Sequence, residues 1–134
     1  MSTQQNIAAV ETFLEGLGSG RDPAELASSF APDLVLDIPG KPGVFPWVGQ
    51  GVGRGAMAAF IRDLRDLTEP LAFEVDDILA NENRAVAIGS LQTKVKETVK
   101  VIVSPYALIF SFKGDQVSRF QMLEDTYAVA DAAR

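Results

Sequence analysis

Apolar residues recur with two different periods along this chain, and the change of period divides it in half. Ile7, Val10, Leu14 and Leu17 fall at i, i+3, i+7 and i+10, the stripe of an amphipathic helix with Ser2 or Thr3 available as its cap. Gly16, Gly18 and Gly20 end it. Asp22-Pro23 then sets a capping residue before a proline at the first helical position, predicting a short second helix that reaches about Phe30. Met57, Phe60, Ile61, Leu64 and Leu67 form a third stripe, with Arg62, Asp63, Arg65 and Asp66 on its wet side and Pro70 closing it.

Between the second and third helices, Asp33 to Asp37 reads as a strand with Asp33, Val35 and Asp37 on one face and Leu34 and Leu36 on the other. A Gly/Pro-rich loop from Ile38 to Gly55 follows, carrying Phe45 and Trp47. The second half is strand-like over Leu71–Ile78, Arg84–Lys96, Thr98–Phe112 and Gln116–Thr126, with hairpin turns at Asn81-Glu82-Asn83 and Lys113-Gly114-Asp115. Pro105 predicts an edge or a bulge within the third of these. Tyr127 to Ala133 is expected to be a frayed helix or a tail. Helices first and an antiparallel meander afterwards predict one α+β domain over 1–134. Ile7, Val10, Leu14, Leu26, Phe30, Phe60, Ile61, Leu64, Val86, Ile88 and Phe110 are its expected core. Three helices can cover only one sheet face, so the other is expected to pair with a second copy through residues such as Ala107 and Ile109.

Composition removes several chemistries. The chain has no cysteine and no histidine, which excludes thiolate nucleophiles, disulfides, zinc–sulfur sites and Ser-His-Asp catalysis, so no metal site is expected. Its net charge of −6, with no Lys/Arg cluster, argues against nucleic acid and anionic membranes as partners. No apolar run approaches the roughly 20 residues of a membrane span, and the start lacks the pattern of a secretory signal, so a cytoplasmic location is expected. Acid–base work falls to Asp, Glu, Tyr, Lys or water.

Three segments carry a family likeness: Phe30-Ala31-Pro32-Asp33-Leu34-Val35-Leu36-Asp37, Gly49-Gln50-Gly51 with Gly55, and Met122-Leu123-Glu124-Asp125-Thr126. Their order resembles the nuclear-transport-factor-2-like superfamily, nearest the SnoaL-like and ketosteroid-isomerase-like proteins. That resemblance implies a cystatin-like cone, usually homodimeric, with a pocket between helices and concave sheet. It covers isomerases, cyclases, dehydratases, hydrolases and non-catalytic modules, so it leaves function open.

The resemblance places a proton-shuttling base at the end of the first strand, where Asp37 stands. A ketosteroid isomerase pairs such a base with an oxyanion hole of Tyr and protonated Asp. The matching positions here hold Phe13 and Leu108, neither of which can donate a hydrogen bond, so steroid isomerisation is disfavoured. Tyr106 could substitute as a donor. SnoaL-like cyclases imply an acid at the end of the last strand, where Glu124 and Asp125 sit. Alternation groups Glu124 with Phe120 and Met122 and favours it as pocket-facing, while family position does not separate it from Asp125; one of the two is expected to be a strand-end cap or surface partner and the other the acid. Phe13, Val35, Trp47, Phe60, Leu108, Phe120 and Met122 are the expected ligand contacts. Two functions stay open: cofactor-free acid–base catalysis on a small apolar or partly polar ligand, or binding and dimerisation without turnover.

Overall fold

The computed structural model describes residues 2–134. Helix α1 (Thr3–Ser19) begins on a capping box in which Ser2 and Gln5 exchange side-chain and backbone hydrogen bonds, and it ends on left-handed Gly20. Asp22 caps α2 (Pro23–Ala27) by accepting from the Glu25 amide, with the proline in the first turn as expected. Strands β1 (Phe30–Ile38) and β2 (Gly49–Val52), helix α3 (Arg54–Leu67), strands β3 (Thr68–Ala80), β4 (Arg84–Val95), β5 (Val101–Lys113) and β6 (Gln116–Glu124), and a short α4 (Thr126–Ala132) complete the chain. The tail therefore forms a helix, capped by Asp125, whose Oδ1 accepts from the Ala128 amide.

The six strands form one curved, open sheet in the order β2-β1-β6-β5-β4-β3. Every pairing is antiparallel except β1 with β6, which run parallel. This α+β architecture is the expected one, with β2 an addition from within the Gly/Pro loop. Strand β3 bends at two register shifts, between Pro70 and Ala72 and between Val75 and Asp77. Pro105 sits inside the sheet rather than at its edge. However, β6 ends opposite Tyr106, so Pro105 starts a stretch of β5 paired on the β4 side alone.

The core lies between the helices and the concave face. Val10, Leu26, Phe30, Phe60, Ile61 and Phe110 are buried as expected, while Ile7, Leu14 and Leu64 are half-buried. Two expected core residues are corrected: Val86 is only half-buried and Ile88 is 37% exposed. On β4 the small residues Ala85 and Ala87, together with Leu91, face inward and are buried. Period-2 alternation leaves Val86 and Ile88 on the outside.

A polar clasp fixes α1 to the far hairpin. Asn6 is wholly buried, and its Nδ2 donates to the carbonyls of Asn81 (2.9 Å) and Glu82 (3.1 Å) in the β3–β4 turn. Asn6→Ala removes both bonds at a dry site, and unfolding in urea should show a loss of about 2 kcal/mol. A loss under about 0.5 kcal/mol would mean that water replaces the clasp.

Candidate functional site

The helix stripes and the concave sheet do not close completely on each other. A cavity of about 200 Å³ remains between α1, α3 and strands β3 to β6. Phe13, Leu14 and Leu17 come to it from α1, and Phe60 and Leu64 from α3. Leu91, Leu108, Phe120 and Met122 come from the sheet. Gly18, Pro70 and the 44%-exposed Phe73 also line it, so the cavity reaches the surface between the end of α1 and the start of β3.

Five of the seven expected contacts line this space: Phe13, Phe60, Leu108, Phe120 and Met122. Trp47 stands one layer back, stacked on Phe45 at 4.7 Å and edge-on to Phe60 at 5.8 Å, and so supports the wall. Val35 is corrected: it shares the outer face with Arg119, its neighbour in the β1–β6 register. Leu91, Leu17, Phe73 and Thr93 were not anticipated. The same-face alternation of β4 and the stripe of α1 carried the signal for all but Phe73.

The lining holds few polar groups, and most are already engaged. Thr68 Oγ1 donates to the Leu64 carbonyl at 2.6 Å. The Arg65 guanidinium donates to the carbonyls of Arg21, Gly16 and Leu17, closing the end of α1. Thr93 makes no side-chain hydrogen bond among the described residues and is the cavity's available hydroxyl.

Asp37 is the main correction. It was expected to face the cavity, but β1 turns Leu34, Leu36 and Ile38 inward, all buried. Alternation then sends Asp37 to the outer face, because no bulge interrupts the register from Val35 to Ile38. There Arg119 Nη2 donates to its Oδ2 at 2.9 Å and Gln121 Nε2 does so at 3.4 Å. The carboxylate is therefore the acceptor of a polar cluster across β1 and β6, remote from the cavity lining.

The two acids at the end of β6 take different positions. Asp125 is the α4 cap, and its amide donates to the buried Ser104 hydroxyl at 2.8 Å. Glu124 lies directly opposite Tyr106, one pleat beyond Met122 on the inward side of β6, half-buried and, like Tyr106, just outside the cavity lining. Burial pushes its carboxyl up to about 7 from the ordinary 4.5, and no hydrogen bond offsets that burial among the described residues. Tyr106 is buried on the same face, stacked on Phe73 at 4.7 Å, and its hydroxyl donates to the Glu74 carbonyl at 2.7 Å. Burial and then the Asp76 charge push its phenol up to about 12. Tyr106 thus remains a neutral donor whose hydrogen bond is already used.

A helix-backed, curved, unclosed sheet is also the fold of the solved NTF2-like neighbours. The SnoaL-like domain model matches residues 10–120. The chain belongs to the SnoaL-like family. A search of curated protein sequences finds no match. Among solved structures, an NTF2-like protein from Burkholderia xenovorans LB400 is 27% identical over 100% of this chain and 99% of that one, with a TM-score of 0.89. TerC, co-crystallised with polyporic acid, is 14% identical over 96% of this chain and 98% of its own, with a TM-score of 0.78. A protein with a ketosteroid-isomerase-like fold from Catenulispora acidiphila DSM 44928, in complex with trimethylamine, is 13% identical over 93% and 91%, with a TM-score of 0.75. At those two lower identities the likeness is one of fold. In this SnoaL-like domain no helix among the described residues is long and apolar enough to cross a membrane.

Proposed function

We propose that this SnoaL-like domain binds a small, mostly apolar ligand in the α1/α3 cavity and moves a proton on it with Glu124. The observation that carries the reading is Glu124 itself: a half-buried carboxyl on the inward side of β6, opposite Tyr106 and one pleat beyond Met122, the last β6 residue of the cavity lining. With its proton affinity near neutrality, both forms are populated in ordinary buffer, the condition under which one group can both take and return a proton. Neighbours crystallised with polyporic acid and with trimethylamine support a small-molecule occupant. Nothing in this chemistry calls for a cofactor.

A specific observation favours a second reading, binding without turnover. A developing enolate needs preorganised donors, and Tyr106 already spends its hydroxyl on Glu74 while Thr93 offers one weak partner. The two readings part in one experiment. Small cyclic ketones are incubated in D2O with the protein, and exchange α to the carbonyl is followed by NMR. The catalytic reading expects exchange that Glu124→Gln slows by about 100-fold or more and Asp37→Asn leaves within about threefold. Loss in Asp37→Asn with Glu124→Gln unaffected would return the proton carrier to Asp37. Ligands that bind without exchange would leave the binding module.

We further propose that the outer sheet face joins two copies. Ile88, Ala107 and Leu123 form one row across β4, β5 and β6 there, with Leu79, Val86 and Ile109 beside it. Leu79 is 55% exposed, a costly surface for an isolated chain. Light scattering at micromolar concentration should give twice the chain mass. A monomer mass overturns the pairing.

A further inference from the structure

Phe13 lines two concavities of the molecule at once and is the one residue their linings share. On one side is the apolar cavity of about 200 Å³, entered past Gly18 and Phe73. On the other is a wider cleft of about 380 Å³ between the first half of α1, α2 and the β5–β6 turn, with Ala8, Ala9 and Thr12 along one wall and Phe30 and Phe110 at its floor. The Phe13 ring is held edge-to-face by Phe30 at 5.2 Å, Phe110 at 5.9 Å and Phe120 at 6.0 Å. Phe120 belongs to the cavity lining, and Phe30 and Phe110 to that of the cleft. Phe13 is also nearly fully buried, so its ring has little room to swing aside.

We propose that Phe13 is the stop that limits this site to ligands of one or two fused rings, with any polar substituent turned toward Thr93. The proposal rests on the cavity being the ligand site and adds the size class of what it takes. A dry cavity of about 150 Å³ accommodates benzene, so about 200 Å³ leaves room for a second ring and little more. Pockets for larger, drug-sized ligands span roughly 300–1,000 Å³. Removing the Phe13 side chain would merge cavity and cleft into one channel within that range. The edge-to-face packing makes the stop rigid, because displacing the ring would break three aromatic contacts together.

The test titrates 2-naphthol and 1-hydroxypyrene into the wild type and into Phe13→Ala, with Phe13→Leu as a milder variant should the alanine unfold. Phe30→Leu, in the same aromatic cluster but lining only the cleft, controls for general loosening. The wild type and Phe30→Leu should prefer 2-naphthol by about tenfold or more, and the Phe13 variants should lose or reverse that preference. Equal affinity of the wild type for both probes, or loss of preference in Phe30→Leu, overturns the stop. A preference unchanged in both Phe13 variants does the same. A wild type that binds neither probe overturns instead the reading of the cavity as a ligand site.

Discussion

Gly89→Ala is expected to lower the melting temperature by roughly 10 °C, the largest stability loss from adding one methyl group to this fold. A Cβ at position 89 would lie 1.9 Å from the Glu74 carbonyl oxygen and 2.7 Å from the Tyr106 hydroxyl. The first is backbone, and the second is the tip of a ring fixed by stacking on Phe73. Neither can yield cheaply. Gly89 pairs with Val75 where β3 slips register before Asp77, and that irregularity accompanies a Glu74 carbonyl within reach of a tyrosine two strands away. The missing side chain at Gly89 is the gap through which Tyr106 spans β4 to edge strand β3. Overpacking costs about 1–3 kcal/mol and the lost hydrogen bond about 1 kcal/mol more. In a domain of this size each kcal/mol is worth about 3–5 °C. Thermal unfolding by circular dichroism checks it, with Tyr106→Phe expected to lose only the hydrogen-bond share. A Gly89→Ala protein melting within about 2 °C of the wild type would mean that β3 moves aside without cost.

What the sequence made legible follows from how strictly each pattern constrains geometry. The stripes of α1 and α3 and the Asp22-Pro23 start of α2 are local devices, and all stand where the periodicity puts them. Strand β2 was not legible, since Gly49–Val52 has little strand propensity and owes its conformation to pairing with β1. On β1 the two faces were separated correctly but assigned in reverse. The family likeness drew Asp37 inward, while the hydrophobic effect buries the face of Leu34, Leu36 and Ile38. On β4 Val86 and Ile88 were expected in the core, but period 2 turns them outward. The inward positions at the start of that strand are the small Ala85 and Ala87, and the larger Val86 and Ile88 face outward where a partner is proposed. The inward parity of Glu124 followed from Phe120 and Met122, which share its alternation, since the register slip of β6 against β5 falls before them, between Val117 and Arg119. Its raised proton affinity was not readable, since it depends on what covers the carboxyl.

Glu124→Gln should make the protein more stable above neutral pH, by about 2–3 kcal/mol, while leaving it unchanged in acid. The sign follows from where the proton resides. In the unfolded chain the carboxyl titrates near its ordinary 4.5, and in the fold burial pushes it up to about 7. Between those values the folded protein holds a proton that the unfolded chain has released, so stability falls as pH rises. The favourable contribution is complete below about 4.5 and lost above about 7. Glutamine keeps the shape and a hydrogen-bonding head but has no charge to desolvate, so its stability curve should lack this decline. Urea unfolding of both proteins from pH 4.5 to pH 8.5 is the measurement. Curves that stay parallel across the range would show that Glu124 is hydrated and ordinary, and the proton-transfer reading would lose its support. Diverging curves would identify a carboxyl that destabilises its own fold at neutral pH. Such a cost is typical of functional groups, whose removal stabilises a protein while abolishing what it does. The turnover and stability results for Glu124→Gln are therefore expected to move in opposite directions, a pairing that loss of a merely structural residue would not produce.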